Sequence, residues 1–158
     1  MNIERTTRNA LWGSVAVLLV ATALRLAALG DVPPGLYHDE AYHGLDALDI
    51  LRGQLSLYFP ANNGREPMFL YLVALSVGLL GKSPYALRLV SVPVGILTVA
   101  ATAAMGRALF SRRVGLLSAA VLAVTLWHVH LSRVSFRAIL FPLFIAPVSY
   151  THLTLPTN

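Results

Sequence analysis

The sequence predicts an all-α chain of polytopic transmembrane helices, with an extracytoplasmic loop that carries interfacial amphipathic helices. Three observations predict it. Hydrophobic residues make up 56% of the 158 and charged residues only 12%, with a mean hydropathy of +0.67, which is membrane-protein composition. The apolar residues gather into long runs. The basic residues sit between those runs or at their ends, so topology explains the net charge of +5 and no nucleic-acid partner is expected. With no cysteine, neither a disulfide framework nor a Cys-based zinc site is available.

The first run, residues 11–29, follows Arg5 and Arg8 and is about as long as a bilayer span requires. Pro33 and Pro34 stand where a small-residue cleavage site would be expected, so the run reads as an uncleaved transmembrane helix. The 13 residues from Met68 to Leu80 reach only about 20 Å at 1.5 Å per residue, short of the roughly 30 Å hydrocarbon core. Charge gives an independent test. With the N-terminus inside, a crossing at 68–80 would put Arg107, Arg112 and Arg113 outside, against the positive-inside rule. If that segment lies on the membrane instead, residues 87–110 form the second span and deliver the cluster to the cytoplasm. Residues 114–131 then return outward, and a fourth span starts at 138.

This parity places residues 30–85 outside, as one loop holding six of the seven acids. Within it, residues 39–52 read as an amphipathic helix stopped by Gly53. Ala41, Leu45, Leu48 and Arg52 form a stripe suited to lipid, while Asp39, His43 and Asp46 form another expected to face water. The turn "PANNGREP" leads to a second interfacial helix, about 67–80, with Pro67 in its first turn. Residues 1–147 are thus the native membrane portion. The polar, Thr-rich 148–158 resembles translated sequencing-adapter read-through, so the chain reads as cut in its fourth span and His152 is set aside.

The stretch Tyr37–Gly44, "YHDEAYHG", concentrates the candidate chemistry. A zincin needs two histidines four apart; His38 and His43 are five apart and point about 140° from each other. Asp39 with His43 leaves a divalent cation open only with help from elsewhere. Asp39 and Glu40 are a stronger signal, because adjacent acids at a helix start point in different directions and can take different roles. The structural alternative is that Asp39 caps the helix and Glu40 favours its positive end, worth about 1 kcal/mol. Arg133 and Arg137, four apart, form a phosphate clamp if their helix continues, and Arg88 joins them from the same surface. Snorkelling to headgroups is the alternative for each. Arg25, inside the first span, is expected to snorkel outward or to pair with Asp39 or Glu40. His128 and His130 read as interfacial hydrogen-bonding residues.

Taken together, "GDVPPGLYHDEAYHGLDALDILRG", "GREPMFLYLVALSVGLLGKSPYALRLVSVPVGILTVA" and "SRRVGLLSAAVLAVTLWHVHLSRVSFR" closely resemble the amino-terminal part of C-superfamily polytopic glycosyltransferases. The nearest group is the dolichyl-phosphate-mannose protein mannosyltransferase-like set, which includes bacterial lipid A aminoarabinose transferases. The resemblance covers the chain to about Ala146, and the Asp-Glu pair is its most specific element.

It implies an integral enzyme of a bacterial or archaeal plasma membrane that moves a sugar from a polyprenyl-phosphate donor to a lipid or protein acceptor. The N-terminus would be cytoplasmic and the active site extracytoplasmic. Asp39 would be the catalytic carboxylate beside Glu40, with Arg133, Arg137 and Arg88 on the donor phosphate. No cofactor is required by the resemblance beyond a divalent cation left open. A transporter or channel subunit and a non-catalytic membrane assembly subunit are the rival readings. The first predicts polar residues inside the spans, and the second predicts that Asp39→Asn is tolerated.

Overall fold

The computed structural model describes the backbone of residues 3–154 and the side chains of residues 11–153. Arg5 and Arg8, which carry the cytoplasmic placement of the N-terminus, lie outside the described side chains, as do residues 155–158 of the tail. The elements are helices α1 (Ile3–Leu26), α2 (His38–Leu51), α3 (Pro67–Leu80), α4 (Pro84–Leu89), α5 (Ser91–Leu109), α6 (Arg112–Val124), α7 (Leu126–Leu131) and α8 (Leu140–Thr154). A 3₁₀ turn, Arg137–Ile139, precedes α8, and the only extended pairing among the described residues is the antiparallel bridge Phe59–Arg65. The described residues are therefore all-α apart from that bridge, the fold class the sequence predicts.

Helix α4 continues through the helical Val90 into α5, giving a 26-residue apolar helix, Pro84–Leu109, against the predicted 87–110. Among the described residues it alone is long and apolar enough to cross a membrane; Leu11–Leu26 and Pro67–Leu80 are shorter apolar helices. The exposed arginines 107, 112 and 113 flank the turn into α6. That hairpin closes on glycine: a Cβ on Gly115 would strike the backbone of Ala103 and Arg107, and one on Gly106 the backbone of Gly115. Only hydrogen at these positions lets the two helices touch this closely.

Helices α2 and α3 form a second hairpin. Phe69, Leu70, Val73, Ala74 and Val77 of α3 are buried with Ala47 and Ile50 of α2. Each of the large side chains among them stabilises the hairpin by roughly 1.5–3 kcal/mol. Of the predicted lipid stripe, Ala41 and Leu45 are exposed and Leu48 packs against the core. The predicted water-facing stripe does not hold. His43 is buried against the Phe69 ring and Asp46 is half-buried on Arg65, because the α2–α3 loop and the loop after α7 cover that side.

The predicted continuous span 114–131 is broken at Thr125, whose extended backbone (φ −60°, ψ 116°) separates α6 from α7. A helix break leaves carbonyls without helical partners, and a buried one must find its donor elsewhere in the protein. Arg25 is that donor. Fully buried, it neither snorkels nor reaches Asp39 or Glu40; Nη1 donates to Ala21 O (2.9 Å) and Ala123 O (3.1 Å), and Nη2 to His128 Nδ1 (2.8 Å). His128 is therefore an interior acceptor that ties α7 to α1.

Gly115→Ala should force α5 and α6 apart and cost about 1–3 kcal/mol, in the range of overpacked cores. Thermal unfolding in detergent checks it, with Gly13→Ala, where a Cβ meets only the flexible Leu116 side chain, as the mild control.

Candidate active site

The site is built around the start of α2. Tyr37, in extended conformation, precedes the helix, and Glu40 reaches back so that the Tyr37 amide donates to its Oε2 at 3.0 Å. This is one half of a capping box. The acid that satisfies the helix start is thus Glu40, not Asp39, which corrects the sequence-based alternative.

Glu40 does much more than cap. Its side chain is 1% exposed and Arg88's is fully buried; Arg88 Nε donates to Oε1 at 3.0 Å and Nη2 to Oε2 at 3.3 Å. The Ser135 amide donates to Oε1 at 2.9 Å. Arg88 also donates to Leu29 O (3.1 Å) and Gly35 O (2.5 Å). Burial alone would raise the Glu40 pKa, but Arg88 and the amides of Ser135 and Tyr37 outweigh it and hold the carboxyl below its ordinary value. One turn on, His43 Nδ1 donates to Ser135 O at 2.7 Å, so α2 holds both the N–H and the C=O of Ser135. Burial keeps His43 below its ordinary pKa, against the opposing pull of that hydrogen bond, so the ring is neutral near pH 7.

Asp39 points away from this interior. Its side chain is 25% exposed, Asn62 Nδ2 donates to Oδ1 at 2.5 Å, and His38 Nδ1 lies 3.6 Å from the same oxygen. The Asn62 amide lowers its pKa, partly opposed by burial and helped by His38 and His43, so the carboxylate is ionised at neutral pH. Four other acids of the loop meet arginine: Glu40 with Arg88, Asp46 with Arg65 (2.6 Å), Asp49 with Arg52 (3.0 Å) and Glu66 with Arg137 (2.7 Å). The Asp46 contact is a charge contact off the hydrogen-bond axis, and burial raises the Asp46 pKa despite Arg65. Asp39 is the carboxylate that is oriented yet not neutralised by an arginine.

The predicted arginine clamp does not form. The helix ends at Leu131 and the chain runs non-helically through Val134–Phe136, so Arg133 and Arg137 do not share a helical face. Arg133 donates to Leu24 O (2.7 Å), Arg25 O (3.4 Å) and Val32 O (3.0 Å), closing the end of α1. Arg137 donates to Gly64 O (3.0 Å) and pairs with Glu66. Arg88 is enclosed with Glu40, which leaves Arg133 as the member of the predicted trio that meets backbone carbonyls alone. Sequence reasoning missed Asn62 and Ser135. The Asn-Asn-Gly run announces a left-handed turn, but nothing in it says which carboxylate that turn reaches. Among the described residues no three or more His, Cys, Asp or Glu side chains cluster as a metal site.

A family model, Dolichyl-phosphate-mannose-protein mannosyltransferase, matches residues 64–157. The match takes in Arg65, Arg88, Arg133 and Arg137, leaves Asp39 and Glu40 outside, and extends over the tail set apart above, where α8 continues to Thr154. No curated protein and no solved structure matches the chain significantly.

Glu40→Gln should leave Arg88 buried and uncompensated and cost about 3–5 kcal/mol. In the parent, the Glu40 contribution is fully present above the ordinary glutamate range and is lost as pH falls through its lowered folded value. Unfolding midpoints from pH 7 to pH 3 should fall for the parent and flatten in the variant.

Proposed function

The chain belongs to the dolichyl-phosphate-mannose-protein mannosyltransferase family, and from that premise we propose that it forms the acceptor-activating part of a membrane glycosyltransferase. The donor is a sugar on a polyprenyl phosphate and the acceptor is a lipid or protein hydroxyl at the extracytoplasmic surface. The reacting carboxylate is Asp39. A single observation carries this reading: Asp39 is held by a neutral donor, partly open to solvent, and pairs with no arginine.

The transfer inverts the anomeric centre. The acceptor oxygen bonds to C1 of the sugar while its proton passes to an Asp39 carboxylate oxygen, and the C1–O bond to the lipid phosphate breaks with its electron pair leaving on phosphate. A general base of this kind contributes roughly 10²–10⁴-fold. Charge on the departing phosphate calls for a cation, and Arg133, held only by carbonyls, fits that need better than Arg137, which already meets Glu66. Glu40 and Arg88 position the site and do not touch substrate. No resident metal is invoked, and His43 serves the Ser135 loop.

The topology follows the same reading. Helix α1, the joined α4–α5 helix and the α6–α7 pair cross, whereas α3, about 21 Å long, lies at the surface packed on α2. A reporter fused after Arg113 should read cytoplasmic; an external signal would mean that α3 crosses.

Asp39→Asn should lower transfer from a polyprenyl-phosphate sugar by roughly 10²–10⁴-fold, in an assay on membranes of the full protein, with the unfolding midpoint unchanged. Undiminished transfer by that variant would instead favour a non-catalytic assembly role.

A further inference from the structure

The loop between α2 and α3 is built more elaborately than a connection needs. Phe59 and Arg65 exchange backbone hydrogen bonds (3.1 and 2.8 Å), closing five residues, Pro60 to Gly64. Asn62, Asn63 and Gly64 all have positive φ (51°, 67° and 78°), a run that asparagine tolerates and most residues do not. Three contacts hold the closed loop in place. Arg65 donates through Nε to Ala61 O (3.2 Å) and places Nη2 on Asp46, Arg137 donates to Gly64 O (3.0 Å), and the Tyr58 phenol occupies the space a Gly64 side chain would need. What this frame presents is one side-chain amide, Asn62 Nδ2, at 2.5 Å from Asp39 Oδ1. An ionised carboxylate only accepts, so the atom facing it must be the amide nitrogen.

We propose that Asn62 is a positioning residue for the transfer reaction: its amide fixes the Asp39 carboxylate through Oδ1 and leaves Oδ2 aimed at the acceptor hydroxyl. This rests on Asp39 as the reacting carboxylate. A partly exposed Asp without a partner samples several rotamers, and a base must meet the hydroxyl in a narrow range of distance and angle. An arginine would also fix it, but would cancel the charge that makes it a base. A neutral amide orients the group and keeps it basic. The titratable groups facing Asp39 are His38 and His43 on its own helix; the loop turns its arginine, Arg65, to Asp46 and the Tyr42 ring.

Asn62→Gly keeps the left-handed backbone and removes the donor, and Asn62→Asp keeps the shape and replaces the donor with a second carboxylate. Two readouts on the full membrane-embedded protein separate the contact from the chemistry. The first is carbodiimide labelling of Asp39 against pH, read by peptide mass spectrometry. The labelling midpoint should rise in Asn62→Gly and rise further in Asn62→Asp, because the charged form loses its donor and then gains a like charge. The second is transfer. On the pH plateau Asn62→Gly should lose about tenfold in kcat with donor KM unchanged within about twofold. Parental labelling in both variants overturns the contact; a shifted midpoint with parental kcat overturns the positioning role. Activity retained in Asp39→Asn removes the reading of Asp39 and the proposal with it, while the labelling still reports on the contact itself.

Discussion

The buried Glu40–Arg88 pair is the constraint on which the rest of this arrangement depends. Taking both charges out of water is costly, and such a pair is tolerated only with good geometry and with its remaining hydrogen-bonding capacity filled. Here it is filled. Glu40 accepts from Tyr37, Ser135 and Arg88, and Arg88 also serves Leu29 O and Gly35 O. One ion pair thereby gathers the exit of α1, the start of α2, the start of the α4–α5 helix and the loop after α7. These segments lie as far apart in sequence as Leu29 and Ser135, and no single apolar contact could fix all four in register.

A division of labour between neighbouring acids follows. Because Glu40 turns inward to Arg88, helix geometry turns Asp39 outward, about 100° around the axis. The same economy of arginine repeats through the loop, where Arg65, Arg52 and Arg137 meet Asp46, Asp49 and Glu66. Asp39 is left to an amide. Its ionised, oriented state is therefore a consequence of how the surrounding charges are matched, and the α4–α5 helix matters to it mainly by presenting Arg88. Arg25 has a parallel role, satisfying the Ala123 carbonyl at the α6–α7 break and holding His128 of α7.

Much of this was legible in the sequence. Apolar runs and the arginine cluster at 107–113 marked the α5–α6 turn, Pro67 marked the start of α3, and the family resemblance is matched by the family model over 64–157. Side-chain pairing was not legible, and the misreadings share one cause. Periodicity assigns a residue to a face without saying what covers that face. His43 and Asp46 look solvent-directed on a wheel, yet the Ser135 loop and Arg65 cover them. Arg133 and Arg137 look like a clamp only while the helix is assumed to continue, and the end of α7 at Leu131 with the non-helical stretch Val134–Phe136 separates them. Arg88 is one more basic residue at a span end until its partner, 48 residues away, is known.

The most direct measurement is a structure of the membrane-embedded protein with a non-transferable polyprenyl-phosphate sugar analogue bound. The account predicts the anomeric carbon on the Asp39 side of α2, phosphate oxygens within hydrogen-bonding distance of Arg133, and Glu40 still held by Arg88, Tyr37 and Ser135. A complex in which Arg88 leaves Glu40 to bind the phosphate, or in which Glu40 and not Asp39 faces the sugar, would contradict it.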